Sequence, residues 1–174
     1  MLQRWENQSA DRVDSFVSIS HNVRRKVLKY YGRESQVVYP PVDLSYFSPR
    51  AQKENYYLMI GAFAPNKRVD LAVEAFNRLK LPLKIVGSGQ DEEYCKKIAG
   101  DTIEFLGSLP DEELLKLYQN ARAFVFPGED DFGITPLEAQ ACHTPVIAFA
   151  AGGAMETITE NTGVFFGKQK VDEL

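Results

Sequence analysis

The regular alternation of short apolar segments with helical segments between Tyr57 and Phe166 limits the possible folds most strongly. Clusters of β-branched and aromatic residues predict strands, and apolar residues spaced three or four positions apart predict helices. The predicted strands are 57–61, 83–86, 103–106, 123–126, 146–149 and 163–166. The predicted intervening helices include 69–80, 91–99, 111–121 and 154–160. This alternation predicts an α/β fold in which a parallel sheet carries helices on both faces.

Two further strands are predicted nearer the N-terminus, Phe16–Ile19 and Gln36–Tyr39, with a helix between them. The helix runs from His21 to Tyr31, Ser20 can cap its first turn, and Gly32 ends it. Its outward side carries a cluster of cations, namely Arg24, Arg25, Lys26 and Lys29. Two interpretations of this basic side stay open, a solvated helix face and a surface that docks to an anionic membrane or a lipid phosphate.

Composition excludes several classes of protein. A chain of 174 residues is long enough for one ordinary domain, and a net charge of −4 argues against binding to nucleic acid. No apolar run approaches the roughly 20 residues that span a membrane, and Met1–Ser20 lacks a secretory signal pattern. We therefore expect a cytoplasmic protein, with peripheral attachment at the inner membrane face as the alternative. Cys95 and Cys142 lack zinc-like spacing and are expected to be reduced thiols that pack in the core.

The segment Phe126–Ala148 carries the clearest signal for a binding site. A strand leads into an acidic loop, Gly133 closes the loop, and a helix follows. Thr135 is the expected N-cap, Pro136 the first helical residue, and Glu138 the carboxylate of a capping box. The first amides of such a helix are free and its dipole attracts anions, so we expect a phosphate-bearing ligand there.

The same segment, DDFGITPLEAQACHTPVIA, resembles the E-x7-E region of retaining nucleotide-sugar glycosyltransferases. These enzymes have the GT-B architecture of two Rossmann domains and form family four, also called group 1. The resemblance extends from about Asp14 to Gly167 and is strongest to mannosyltransferases of surface-polysaccharide synthesis. The other matching stretches are VVYPPVD (37–43), APNKRVDLAVEAFNRL (64–79), IVGSGQ (85–90) and IEFLGSLPDEELLKLYQNARAFVFP (103–127). It implies a Rossmann-like domain that forms one half of a GT-B fold.

The resemblance implies roles for four charged residues. Lys67 matches a lysine that contacts the donor phosphates and would offset the charge that develops on the leaving diphosphate. Arg68 is a second candidate for phosphate binding. Asp130 lies at the first carboxylate position of E-x7-E, near the donor sugar, and Glu138 at the second, where it would accept hydrogen bonds from the ribose. Lys67 and Asp130 are therefore the candidate catalytic residues.

The remaining donor-binding candidates act mainly through their backbone. They are Gly61, Gly87, Leu106, Leu109, Phe132, Gly133, Ile134 and Thr135. The loop Leu106–Leu109 is expected to lie against the nucleobase, and Phe132 is expected to pack in the interior instead of stacking on the ligand. Gly87-Ser88-Gly89 lacks the third glycine of a dinucleotide fingerprint, because Glu92 occupies that position.

Two residues depart from the family pattern. Alanine stands at position 62, where the family usually has a phosphate-binding arginine, so Arg68 is expected to compensate or the activity to be weaker. Aspartate at 130 is one methylene shorter than the family's glutamate, and Glu129 could substitute for it. No metal is expected in this acidic loop, because there is no second cluster of hard ligands. His21 and His143 are not expected to act as catalytic bases.

The sequence thus predicts the donor-binding domain of a retaining glycosyltransferase, with GDP-mannose as donor and a polysaccharide or a lipid-linked acceptor. No cofactor is expected beyond the nucleotide-sugar substrate, and no nucleic acid partner. Residues 1–15 are interpreted as the trailing segment of an absent N-terminal domain and 16–174 as the nucleotide-sugar-binding domain, truncated before its closing helices. Such a chain is expected to be inactive alone. The alternatives are a nucleotide-sugar epimerase or hydrolase of the same architecture and a non-catalytic binding module.

Overall fold

The structure, a computed structural model, describes residues 9–50 and 52–174. The first eight residues of the predicted trailing segment 1–15, and Ala51, lie outside the described residues. The chain divides into two compact units, one that ends at Pro41 and one that comprises Val42–Leu174. The sequence had suggested one unit from residue 16 onward. The structure instead divides after Pro40-Pro41, where proline removes two backbone donors and ends strand pairing.

The first unit contains two parallel strands and one helix. Strand β1 (Phe16–Ser18) pairs with β2 (Ser35–Val37), and helix α1 (His21–Tyr31) connects them. The predicted helix caps are confirmed, since the Ser20 hydroxyl accepts from the Val23 amide at 3.0 Å and Gly32 adopts a left-handed conformation with φ 63°. Among the described residues, these strands pair only with each other.

The second unit contains the six-stranded parallel sheet that the alternation predicted. Its strands are β3 (Tyr57–Ile60), β4 (Leu83–Val86), β5 (Ile103–Gly107), β6 (Ala123–Phe126), β7 (Val146–Phe149) and β8 (Gly163–Phe166). Its helices are α2 (Val69–Leu79), α3 (Glu92–Ile98), α4 (Asp111–Asn120), α5 (Ile134–Ala141) and α6 (Ala154–Thr157). The strand order is β5-β4-β3-β6-β7-β8.

The sheet separates two hydrophobic layers because successive strand residues point to opposite faces. Leu58 and Phe124 belong to the layer that α4 and α5 cover, whereas Met59 and Val125 belong to the layer that α2 and α3 cover. Helices on both faces of a parallel sheet are the Rossmann-like arrangement that the sequence predicted, and the fold class is confirmed.

Both cysteines pack in this core as expected. Cys95 lies on the α3 side and Cys142 at the end of α5, and each is a buried free thiol. Burial raises the pKa of each thiol to about 11. Within the described residues, no helix combines the length and the apolar character that a membrane span requires.

Candidate functional site

The order of the strands creates one point at which the chain direction across the sheet reverses. From β3 the chain moves outward through β4 to β5, and it then returns to place β6 on the other side of β3. The loops that leave β3 and β6 therefore diverge to opposite faces and open a crevice at the carboxyl ends of the strands. Ligands of open α/β sheets bind at such a point.

The two loops at this crevice are joined by an ion pair. Lys67, which ends a 3-10 turn after β3, donates from Nζ to the Oδ2 atom of Asp130 in the loop after β6. Their side chains are 25% and 21% exposed, so both remain within reach of a ligand. The Glu129 amide also donates to the Asn66 carbonyl at 3.1 Å. The structure thus brings together the two predicted catalytic residues, which are far apart in sequence.

Three glycines that the sequence analysis did not select make this approach possible. A Cβ atom on Gly128 would lie 2.4 Å from the Asn66 oxygen and 2.6 Å from the Lys67 Cα. On the other side of the acidic loop, a Cβ on Gly152 would lie 2.3 Å from the Asp130 oxygen, and one on Gly153 would lie 2.3 Å from the Cα of Phe132. The available signal was the position of each glycine, within four residues after the end of β6 or β7.

The start of α5 differs from the prediction. Gly133, with φ 85°, is the N-cap, and Ile134 is already helical. The proposed capping box is therefore wrong: Thr135 is not the N-cap, Pro136 is the third helical residue, and no side chain caps the helix. Pro136 is tolerated there because the first amides of a helix have no partner within it. Glycine adopts the left-handed conformation of this turn without the steric cost that a side chain would add.

The early start of the helix leaves backbone donors beside the acidic loop. Neither the Ile134 nor the Thr135 amide has a hydrogen-bond acceptor among the residues that the structure describes. Phe132 is 4% exposed, which confirms the prediction that it packs in the interior. These amides, the helix dipole and the nearby Lys67 loop form a suitable environment for a phosphate group.

The carboxylate of Glu138 is free for another role because it takes no part in capping. Its Oε2 atom accepts a hydrogen bond of 2.7 Å from the Tyr118 hydroxyl of α4. It lines a cleft of about 300 Å³ whose other lining residues are Asp43, Tyr46, Phe47, Asp111, Leu114 and Tyr118. The buried Tyr46 hydroxyl has no hydrogen-bond partner among the described residues. Sequence reasoning selected Glu138 but missed both tyrosines.

Arg68 is committed to other contacts. Its guanidinium pairs with Asp70 at 3.1 Å and donates to the Gln169 Oε1 atom at 3.2 Å, and Gln169 donates to the Pro127 carbonyl at 2.8 Å. These contacts do not extend to the Lys67–Asp130 pair. The expectation that Arg68 compensates for Ala62 therefore has no support from its hydrogen bonds.

Backbone packing explains the glycine after β4, Gly87, but not Gly61 after β3, where an added Cβ would meet no atom within 4 Å. Gly87 adopts φ 129°, and a Cβ there would lie 2.0 Å from the Gly61 oxygen. Leu106 and Leu109 pack against the α4 side of the core and line a different cleft from the one that contains Glu138. Their expected contact with a nucleobase through the backbone stays a prediction.

Two further expectations concern His143 and metal binding. His143 lies in the turn after α5 with φ 53°, and its amide donates to the Gln140 carbonyl at 2.9 Å. In the described part of the chain, no group of three or more His, Cys, Asp or Glu residues is arranged to hold a metal ion.

Curated proteins with related sequences include bacterial mannosyltransferases and D-inositol 3-phosphate glycosyltransferases. The chain is 30% identical to the O-antigen chain mannosyltransferase RfbU of Salmonella typhimurium, over 80% of this chain and 43% of that protein. A GDP-mannose-dependent phosphatidylinositol monomannoside mannosyltransferase of Corynebacterium glutamicum is 38% identical over 53% of this chain and 27% of its own length. A D-inositol 3-phosphate glycosyltransferase of Geodermatophilus obscurus is 31% identical over 89% and 42%, respectively. The chain thus spans less than half the length of these relatives.

A solved structure with the same fold is that of Anabaena Alr3699/HepE, crystallised in complex with UDP and glucose. It superimposes with a TM-score of 0.85 at 19% identity, over 98% of this chain and 54% of that one. Residues 45–174 match the sequence profile of the family described as Glycosyl transferases group 1. This chain therefore belongs to the group 1 glycosyl transferases, with the Rossmann-like fold of one half of a GT-B enzyme.

Proposed function

We propose that this chain is the donor-binding domain of a retaining glycosyltransferase that transfers mannose from GDP-mannose to a polysaccharide or a lipid-linked acceptor. The observation that carries the proposal is the Lys67–Asp130 pair, which joins the loops after β3 and β6 at the point where the chain direction reverses. The choice of mannose is supported by two relatives named mannosyltransferases, one of which is described as GDP-mannose-dependent.

In the proposed complex, the diphosphate, the ribose and the sugar of the donor each contact a different part of the site. The diphosphate lies against the Ile134 and Thr135 amides and Lys67, which stabilises negative charge as the bond from the anomeric carbon to the diphosphate oxygen breaks. The ribose hydroxyls donate to Glu138. Asp130 approaches the sugar once the diphosphate has taken its place on Lys67. Catalysis then depends on an exchange of partners at Lys67.

Donor identity is tested by calorimetry with GDP-mannose, GDP, UDP-glucose and UDP. We expect the guanine nucleotides to bind more tightly than the uracil nucleotides. The reverse order would overturn the assignment of GDP-mannose and would favour a UDP-sugar, the nucleotide class named for the Anabaena structure. No binding by any of the four would contradict the donor-binding role as a whole.

The proposal also places catalysis in a two-domain protein. Because this chain spans less than half the length of its relatives, we expect it to bind the donor but not to transfer sugar alone. Transfer of radiolabelled mannose to an acceptor extract by the 174-residue chain would contradict this expectation. Product analysis with labelled donor also separates transfer from epimerisation and from hydrolysis.

A membrane-associated acceptor fits the charge of α1. Arg24, Arg25 and Lys29 are exposed on this helix, which contains no acidic residue, and Leu28 is 48% exposed among them. Basic side chains around an exposed leucine suit an anionic lipid surface. Arg24 already pairs with Glu34 at 3.0 Å. Sedimentation with vesicles that contain phosphatidylglycerol, compared with phosphatidylcholine vesicles, tests this proposal, and equal binding to both would contradict it.

A second candidate function is a non-catalytic nucleotide-sugar-binding module. The observation that favours it is the environment of Arg68, whose guanidinium is held by Asp70 and Gln169 instead of pointing to the Lys67–Asp130 pair, while alanine stands where the family usually has an arginine, at position 62. If a two-domain protein that contains this chain binds GDP-mannose but forms no product, and Ala62→Arg does not restore transfer, this second function is supported.

A further inference from the structure

The geometry points to Tyr118 as the positioning residue for Glu138, an inference that rests on the proposed ribose-binding role of Glu138. The hydroxyl of Tyr118 donates to the Glu138 Oε2 atom at 2.7 Å across the space between α4 and α5. This contact fixes the carboxylate toward the cleft that both residues line. Among the described residues it is the one side-chain hydrogen bond that Glu138 makes.

The tyrosine ring is itself held firmly. Tyr118 is 1% exposed, and its ring packs edge-on against Phe47 with centroids 5.9 Å apart and tilted against Phe124 at 5.6 Å. Its carbonyl also accepts from the Thr144 hydroxyl at 2.6 Å. A ring packed between two aromatic side chains, on a backbone that is itself hydrogen-bonded, presents its hydroxyl in one place. The carboxylate that it contacts loses rotamer freedom before any ligand arrives, so less entropy is lost on binding.

The chemistry of the contact leaves the carboxylate able to bind a sugar. Burial and the adjacent charge of Glu138 raise the pKa of Tyr118 well above its ordinary value, so the phenol stays a hydrogen-bond donor. A carboxylate has about four lone-pair positions, and Tyr118 uses one of them. The rest can accept from the two vicinal hydroxyls of a ribose. A lysine in place of the phenol would neutralise this acceptor, whereas a neutral donor orients it and preserves its charge.

The test compares ligands that differ only in the ribose hydroxyls. GDP and 2′,3′-dideoxy-GDP are titrated into the 174-residue chain by calorimetry, with UDP and its dideoxy analogue in parallel, because ribose is common to both bases. Wild type should prefer GDP about tenfold, the usual effect of hydrogen bonds to a charged group. Tyr118→Phe should bind GDP about fivefold more weakly and the dideoxy analogue unchanged, so that the preference falls to about twofold.

A matched control is available in the same core. Tyr56 is 4% exposed and its hydroxyl donates to the Leu117 carbonyl at 2.9 Å, so Tyr56→Phe removes a comparable buried hydrogen bond away from Glu138. It should leave the ribose preference at the wild-type value. Urea unfolding of both variants checks that each is folded at the temperature of the titration.

The possible outcomes distinguish failure of the role inferred for Tyr118 from failure of the ribose-binding role proposed for Glu138. If Glu138→Gln abolishes the ribose preference and Tyr118→Phe does not, Tyr118 is structural and the inference is overturned. Equal weakening of both ligands by Tyr118→Phe overturns it as well. If Glu138→Gln leaves the preference intact, or if wild type binds neither nucleotide pair, the proposed role of Glu138 fails and the inference fails with it.

Discussion

Asp130 and Glu138 lie eight residues apart in one segment, yet they have opposite kinds of partner. Asp130 stands on a loop and is paired with the cation of Lys67, whereas Glu138 stands on α5 and accepts from the neutral hydroxyl of Tyr118. The first carboxylate shares its partner with any anionic ligand that binds Lys67, whereas the second is held by a neutral donor. We therefore propose that one end of the segment exchanges partners when a ligand binds and that the other end is preorganised.

The largest expected effect comes from removing Lys67, the cation that pairs with Asp130. Lys67→Ala should weaken GDP binding by about tenfold to a hundredfold, because a hydrogen bond to a charged group contributes about 1.5–3 kcal/mol. Calorimetry measures the change. The control is Lys96→Ala, which removes an exposed lysine that pairs with Glu92 on α3. If both variants bind GDP equally well, Lys67 has no part in the site.

Gly128→Ala should disturb the packing of the loop that carries Asp130 against the loop that carries Lys67. The added Cβ would overlap the Asn66 oxygen and the Lys67 Cα, and such overpacking costs about 1–3 kcal/mol. The urea midpoint should fall and GDP binding should weaken. At Gly61, where a Cβ meets no atom within 4 Å, Gly61→Ala should leave the urea midpoint near that of wild type. Equal midpoints for the two variants would mean that the loops are not packed as described.

Isosteric neutralisation of the two carboxylates should change GDP affinity in opposite directions. Glu138→Gln removes the charged ribose acceptor and should weaken binding about tenfold. Asp130→Asn frees Lys67 from its competitor and should tighten binding by no more than about fivefold, since a partly exposed ion pair contributes at most about 1 kcal/mol. Calorimetry on both variants makes the comparison. Changes of the same sign would show that the two ends do not differ as proposed.

The smallest expected effect is that of pH on the contact between Tyr118 and Glu138. The phenol of Tyr118 stays protonated, so the preference for GDP over its dideoxy analogue should be unchanged from pH 7 to pH 9. A preference that falls over this range would show that the contact depends on a group other than the phenol.

Global stability should respond to pH above this range. Cys95 and Cys142 have a pKa of about 11 in the folded chain and about 9 in the unfolded one. The unfolded chain therefore loses these protons first, and the free energy of unfolding should fall as pH rises from about 9 to about 11. Urea unfolding at each pH measures the slope, which should be shallower in Cys95→Ala/Cys142→Ala. Equal slopes would exclude the thiols as the cause.

The elements of the fold were predictable to within a few residues at most positions, because a strand that is buried on both faces and an amphipathic helix leave strong local patterns. Strands 83–86, 123–126, 146–149 and 163–166 were placed with correct bounds. The start of α5 was not, because the pattern Thr135-Pro136-Leu137-Glu138 fits a capping box that begins two residues after the real cap. A left-handed glycine and a hydroxyl can both begin a helix, and local sequence does not choose between them.

The partners of the site residues are the part that required coordinates. Lys67 was expected at the ligand edge, but its pairing with Asp130 joins two loops separated by three strands in sequence. Arg68 was selected for the same reason as Lys67, yet its side chain turns to Asp70 and Gln169. Tyr118 lies in a stretch that resembles the family, but sequence reasoning assigned it no role, because its role depends on the contact between its hydroxyl and Glu138.

The sequence by itself determined the parallel sheet with its two helical layers, since periodicity and glycine placement are properties of consecutive residues. It also led to the prediction that the segment Phe126–Ala148 carries the binding site. Only the tertiary structure decided which carboxylate pairs with a cation and which with a neutral hydroxyl, and which glycines let the loops meet. Those outcomes depend on distances of a few ångströms between residues remote in the chain, where a single hydrogen bond selects the partner.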